Sequence, residues 1–187
     1  MKKQILGLVM ALLPAFSMAQ ECRIDMGKTA PNVRYSFNDN GTLYDRVSGL
    51  TWMRCPLGKT WIKQKQSCEG KGSEVFWQAA LSDVEAINNS ESHALHQFGG
   101  KKQWRLPNIK ELVSLTEHGC RRPSMNGKAF ASAFPYETND GSMKAYIWSN
   151  TPTADGSQIF TFDSINGEIF PREPSGLAIS VLLVSDE

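Results

Sequence analysis

The 187-residue chain has almost no surplus of charge, with 20 lysines and arginines against 19 aspartates and glutamates. A nucleic-acid partner calls for a strong basic excess, and none is present. Histidines number only three. His93 and His96 are spaced by three without the intervening glutamate of a metalloprotease helix. There is no Cys-x-x-C motif, no histidine at zinc-ligand spacing from a cysteine pair, and no Gly-x-Ser-x-Gly elbow. The sequence therefore carries no constellation for metal-assisted or nucleophilic catalysis, and no metal or cofactor is expected. Repeats, low-complexity tracts and a collagen-like Gly-X-Y period are missing as well.

Only one apolar run is long enough to suggest a membrane. It lies at the start, where Lys2 and Lys3 precede an apolar stretch over residues 5–16 and a small-residue site at Ser17-Met18-Ala19. That order describes a secretory signal peptide over 1–19, too short and too proline-broken at Pro14 to serve as an anchor. A single domain is expected over 20–187, long enough to bury a real core, in a secreted or periplasmic protein.

All four cysteines, Cys22, Cys55, Cys68 and Cys120, fall in that exported part. An even number in an oxidising compartment reads as two disulfides. Three pairings exist. The favoured one joins Cys55 to Cys68, closing a short loop, and Cys22 to Cys120. Loop-closure arguments give about 3 kcal/mol for the short loop and about 5 kcal/mol for the long one.

Turn chemistry organises what remains. Asn38-Asp39-Asn40-Gly41 is a hairpin turn between strands over 35–37 and 42–45, because asparagine and glycine tolerate positive φ. Ser48-Gly49 turns the chain again into a strand over 50–54. A first helix, capped by Ser73 and running to about Asn89, carries Phe76, Ala80, Val84 and Ile87 on one face. Pro107 holds Arg105 and Leu106 extended. Asn108 then starts a second helix, with Glu111 completing a capping box. This helix is expected to bury Ile109, Leu112, Val113 and Leu115 and to stop near His118 at Gly119. Strands follow over 145–149, 158–162, 167–170 and 177–184, with Asn166-Gly167 as a further hairpin signal. Strands, two helices, then strands make an α+β plan with short antiparallel strands.

Several of these runs match a known pattern. Gly41-Thr42, Ser48-Gly49-Leu50-Thr51-Trp52-Met53-Arg54-Cys55, Cys68-Glu69-Gly70 and Trp77-Gln78-Ala79-Ala80-Leu81 occur in the same order as the Trp104-Arg105-Leu106-Pro107-Asn108 run, Phe134-Pro135 and Trp148-Ser149. Together they resemble the C-terminal domain family of the Legionella collagen-like protein, over nearly all of residues 20–187. The resemblance implies a C-type-lectin-like single domain and a non-catalytic adhesin-like role. The name-giving member binds sulfated glycosaminoglycans as a stalked trimer. This chain lacks the collagen-like stalk and the closing arginines of the family, ending instead Val181-Leu182-Leu183-Val184-Ser185.

Candidate ligand-binding residues are Lys59, Trp61, Lys63 and Lys65 in the short disulfide loop, with Lys101, Lys102, Arg121 and Arg122 flanking the second helix. Gathered on one face, these cations would hold an anionic glycan. Trp61, among lysines, is expected to be partly exposed. Trp52, Trp77, Trp104 and Trp148 are expected in the core, and Arg105 is expected to pair with an internal carboxylate or carbonyl. Trp148-Ser149-Asn150 lacks the aspartate of calcium-dependent lectins, so a calcium-bound sugar is not expected. The resulting reading is a binding module for a glycan or for an envelope or surface protein. The alternatives are a structural subunit of a surface appendage or secretion assembly and, more remotely, an oxidase of the formylglycine-generating type. Peptide mapping without reduction should recover Cys55–Cys68 and Cys22–Cys120 peptides; a Cys22–Cys55 peptide would overturn the pairing.

Overall fold

A computed structural model of the protein describes residues 20–137 and 143–187, so the signal peptide expected over 1–19 lies outside the described residues. The chain opens with β1 (Glu21–Cys22), β2 (Tyr35–Phe37), β3 (Thr42–Asp45) and β4 (Leu50–Met53). A hairpin of β5 (Thr60–Ile62) and β6 (Ser67–Glu69) follows, then β7 (Glu74–Val75), α1 (Trp77–Asn89) and α2 (Ile109–Ser114). The second half holds β8 (Cys120–Arg121), β9 (Tyr146–Pro152), β10 (Ile159–Asp163), β11 (Ile169–Arg172), β12 (Ile179–Ser180) and β13 (Val184–Ser185). The α+β plan with two α-helices and two disulfides is present, Cys22 to Cys120 and Cys55 to Cys68. Two disulfides fit an extracytoplasmic protein. Among the described residues no helix is long and apolar enough to cross a membrane.

Strands β2, β3 and β4 form the expected meander, extended by β13 into a four-stranded sheet ordered β13-β4-β3-β2. Its first turn is set by Asn40, whose side chain accepts the Thr42 amide, and by Gly41 at φ +89°. A side chain at Gly41 is excluded twice over: its Cβ would sit 2.7 Å from Cβ of Trp61. The second sheet is ordered β11-β10-β9-β12-β7. Its strands are short and antiparallel, as expected, with one parallel pairing, of β12 with β9.

The expected strand over 177–184 is divided between the two sheets. β12 belongs to the five-stranded sheet and β13 to the four-stranded one, with the fully buried Val181, Leu182 and Leu183 crossing between them. The carbonyls of Val181 and Leu183 accept the amides of Leu57 and Met53, which ties the crossing segment to the end of β4. Apolar side chains at every position suit a segment buried on all sides, which sequence periodicity reads as one strand. One core cluster gathers around Trp52, Leu112 and Phe162, the other around Trp104, Trp148 and Ile179.

Both helices have boundaries that differ from expectation. α1 begins at Trp77, with Phe76 as N-cap, and Ser73 does not cap it. The Ser73 amide is taken by the Leu57 carbonyl, and Glu74–Val75 pairs with β12 while Trp148 Nε1 donates to the Val75 carbonyl. These tertiary bonds hold residues 73–75 extended. Phe76 is consequently exposed, and the buried face of α1 is Ala80 and Ile87. α2 starts as expected: the Asn108 side chain accepts the Glu111 amide at 2.9 Å and Glu111 Oε2 accepts the Asn108 amide at 2.7 Å. It ends at Ser114, four residues short of His118. Glu117 is drawn away because its amide donates to the Ser124 carbonyl and its carboxylate receives the amides of Thr29 and Ala30. Gly119 is therefore not the helix stop; its carbonyl accepts the Arg23 amide beside the Cys22–Cys120 link.

Arg105 pairs with Glu111 and Asp186, the internal clamp expected of it. A deeper pair fastens the meander to α2. Arg34 Nε and Nη2 grip both oxygens of the fully buried Asp45, while Arg34 Nη1 reaches the Ser114 carbonyl. Burial works to raise the Asp45 carboxyl, but the bonds from Arg34, Ser48 and the Val47 amide outweigh it and the net shift is downward. A carboxyl held below its unfolded value contributes stability that is complete above the ordinary carboxylate range and is lost as pH falls through the lowered folded value. Asp45→Asn, which leaves the Arg34 charge buried without its partner, should lower stability at neutral pH by about 3 kcal/mol. Its acid limb should also be shallower than that of the wild type in urea denaturation followed across acid pH.

Candidate functional site

The short disulfide loop is built on Arg54, the residue preceding Cys55. Its side chain is buried, with no carboxylate bonded to it among the described residues. Nε donates to the Ala129 carbonyl at 2.9 Å and Nη2 to the Lys128 carbonyl at 2.6 Å. The guanidinium lies 3.5 Å from the ring centre of Trp61 and 5.1 Å from that of Phe37, and Lys128 Nζ approaches Phe37 from 4.8 Å. Burial without an anion pushes the Arg54 proton affinity down to about 10. One side chain thus ties together the meander through Phe37, the β5–β6 hairpin through Trp61, and the segment from Lys128 onward.

Between the hairpin base and that segment lies a cleft of about 480 Å³. Phe134, Pro135, Tyr136, Lys59, Lys71 and Lys144 are among the residues that line it. The Lys59 ammonium donates to the Ser132 carbonyl at 2.7 Å, which bridges the two walls. Desolvation lowers its proton affinity, and no carboxylate offsets that. Gly58 permits the tight start of the hairpin; at φ +84° a Cβ there would meet Ser73 Oγ at 2.4 Å. A second, smaller cavity of about 100 Å³ lies beside Trp61, Phe98 and Leu95, and Lys59 lines this one too.

The structure brings only some of the sequence-selected cations together. Lys59 and Trp61 share a cavity wall, and Trp61 is partly exposed as expected. Lys63 is paired with Asp39 at 2.7 Å and Lys65 with Glu69, so both carry their own counter-charge. Arg121 and Arg122 converge on Glu21 across the β1–β8 pair, with Arg122 also facing Glu137. The Lys102 amide donates to the Glu187 carboxylate, next to Lys101. Trp52, Trp104 and Trp148 are buried and Trp77 is half-buried, its indole nitrogen donating to the Ser149 carbonyl.

Arg54, Lys71, Phe134, Tyr136 and Lys144 were not selected from the sequence. Gly70-Lys71-Gly72 did carry a signal, since glycines on both sides of a lysine beside a disulfide open its backbone and side chain to a cleft. Lys144 carried none.

Residues 41–185 match the Lcl C-terminal domain. No curated protein matches the chain. The match covers β3 to β13, both helices, the Cys55–Cys68 loop and the cleft, and leaves β1 and β2 outside it. Membership suggests a surface or binding domain. The chain belongs to the Lcl C-terminal domain family.

Proposed function

We propose that this domain is a secreted or periplasmic, non-catalytic binding module that recognises a glycan or an envelope or surface protein through the cleft between the β5–β6 hairpin and the segment around Phe134. The observation that carries this reading is the cleft itself. It is concave, of the size typical of small-ligand sites, and it presents Lys59 and Lys71 beside Phe134 and Tyr136. Its walls are joined by the Arg54 bonds to Lys128 and Ala129 and by the exposed Lys59 bond to Ser132, and the hairpin wall is closed by Cys55–Cys68. Walls held in this way lose little freedom on binding, so more of the contact energy appears as affinity.

Of the cations selected from the sequence, Lys59 takes the central role, supported by Trp61. Lys63, Lys65, Arg121 and Arg122 are paired with Asp39, Glu69 and Glu21, and neither they nor Lys101 and Lys102 line the cleft, so these six are given no part in holding the ligand. The signal peptide expected from residues 1–19 supplies the export route that the two disulfides require.

The test compares the oxidised wild-type domain with a Lys59→Glu/Lys71→Glu variant on a glycan array and in pull-downs from envelope extract. Enrichment of a glycan or an envelope protein by the wild type, weakened about tenfold or more in the variant, is the expected outcome. No enrichment in either format, or equal capture by both proteins, would overturn the proposal.

A further inference from the structure

The two disulfides sit in unlike surroundings. Cys55 and Cys68 keep only 8 % and 4 % of their surface and belong to the core cluster around Trp52. Cys22 is exposed and Cys120 half-buried. They face one another across β1 and β8, a pair two residues long that forms a sheet of its own. Both line an open groove of about 680 Å³, together with His118, Arg121 and Glu168. Thiol–disulfide exchange requires a thiolate to reach a sulfur, so access decides which bond a reagent in solution can open.

The exposed link fastens an N-terminal strap, residues 20–30, to the segment over 117–125. Near the link, Gln20 Nε2 donates to the carbonyls of Pro123 and Met125 at 2.8 Å, and the Arg23 amide donates to the Gly119 carbonyl at 2.8 Å. At the far end the buried Glu117 carboxylate takes the amides of Thr29 and Ala30, and Ala30 packs into the core. Between these anchors Ile24, Met26 and Lys28 lie at the surface. Opening the Cys22–Cys120 bond therefore loosens one end of a surface strap, while the Glu117 anchor and the Cys55–Cys68 bond stay in place. The family match begins at residue 41, so the domain it describes does not include Cys22.

We propose that Cys22–Cys120 is a thiol-exchange site, opened by an exported dithiol protein carrying a Cys-x-x-Cys pair, and that Cys55–Cys68 is closed to the same reagent. The more exposed sulfur, Cys22 Sγ, is the one attacked. The partner's thiolate bonds to Cys22 Sγ as the bond to Cys120 Sγ breaks, and Cys120 leaves as a thiolate that takes a proton from water. The partner's second thiolate then attacks its own bonded sulfur, which releases Cys22 as the second thiol. Two electrons and, through solvent, two protons pass from the partner dithiol, which ends as a disulfide, to Cys22 and Cys120. The strap is then free to leave the groove from the Cys22 end.

The test incubates the oxidised protein under native conditions with a thioredoxin whose resolving cysteine is replaced by serine, which traps the mixed disulfide for peptide mapping. The adduct on Cys22 should exceed that on Cys55 or Cys68 by about tenfold or more. In a second arm the intact dithiol thioredoxin opens the bond, and hydrogen exchange is followed. Exchange should accelerate about tenfold at the Arg23 amide and stay unchanged at the Cys68 amide, which is bonded to the Ala131 carbonyl. Cys22→Ser/Cys120→Ser should show the same pattern without any reagent, on a folded domain. Absence of an adduct, an adduct on Cys120 instead, or adducts spread evenly over both disulfides would overturn the proposal. So would a double-serine variant that does not fold, or opening that speeds exchange at the Cys68 amide as well, because the bond would then yield only together with the core.

Discussion

A buried arginine with no carboxylate partner among the described residues governs the architecture of this domain. Taking a guanidinium out of water carries a large penalty, normally offset by a carboxylate. Arg54 has instead two backbone carbonyls and the faces of Trp61 and Phe37. Cation–π contacts strengthen when water is excluded, which is the setting here. This solution has a structural consequence that an ordinary ion pair lacks. An Arg–Asp pair joins two residues; Arg54 joins three separate segments, each of which must be in place for the charge to be tolerated. The hairpin, the meander and the Lys128–Phe134 stretch are therefore coupled, and the cleft between two of them inherits a fixed shape.

The second constraint is the passage of residues 181–183 between the two sheets. Its carbonyls take the amides of Met53 and Leu57, on either side of Arg54 and Cys55. The same few residues thus meet the crossing segment through their backbone, the Lys128 region through the Arg54 side chain and the hairpin through the Cys55 disulfide. The motif Trp52-Met53-Arg54-Cys55 packs these tasks into four consecutive positions because alternate side chains and backbone groups of an extended segment face different neighbours.

Local chemistry was legible in the sequence wherever a turn or cap depends on adjacent residues. Asn40-Gly41, Ser48-Gly49 and Asn166-Gly167 each place a glycine at positive φ where the chain reverses, and Asn108 with Glu111 closes the capping box. The disulfide pairing was legible for a related reason, since a short loop between Cys55 and Cys68 closes at little entropic cost. What failed were boundaries decided by distant partners. Ser73 has the chemistry of an N-cap, but Leu57 and Ile179 compete for the same backbone and prevail. Helix α2 has residues able to continue to His118, yet Glu117 is worth more to the amides of Thr29 and Ala30 than to another helical turn. The apolar stretch over 181–184 has no period, so the division of 177–184 between two sheets leaves no trace in residue order.

The charges show the same separation between local and tertiary information. Counting lysines and arginines picks out clusters in sequence, but most of those side chains find a carboxylate close by in the fold: Lys63 with Asp39, Lys65 with Glu69, Arg121 and Arg122 with Glu21. In a chain of nearly balanced charge this is the ordinary fate of a surface cation, and such pairs contribute little to stability. The informative lysines are those beside apolar surface rather than beside carboxylates. Lys59 became one because its ammonium donates to the Ser132 carbonyl rather than to a described acid, and Lys71 because it lines a cleft that only the fold assembles. In the proposed reading, the cations that matter are those with no carboxylate partner among the described residues that also lie beside apolar groups.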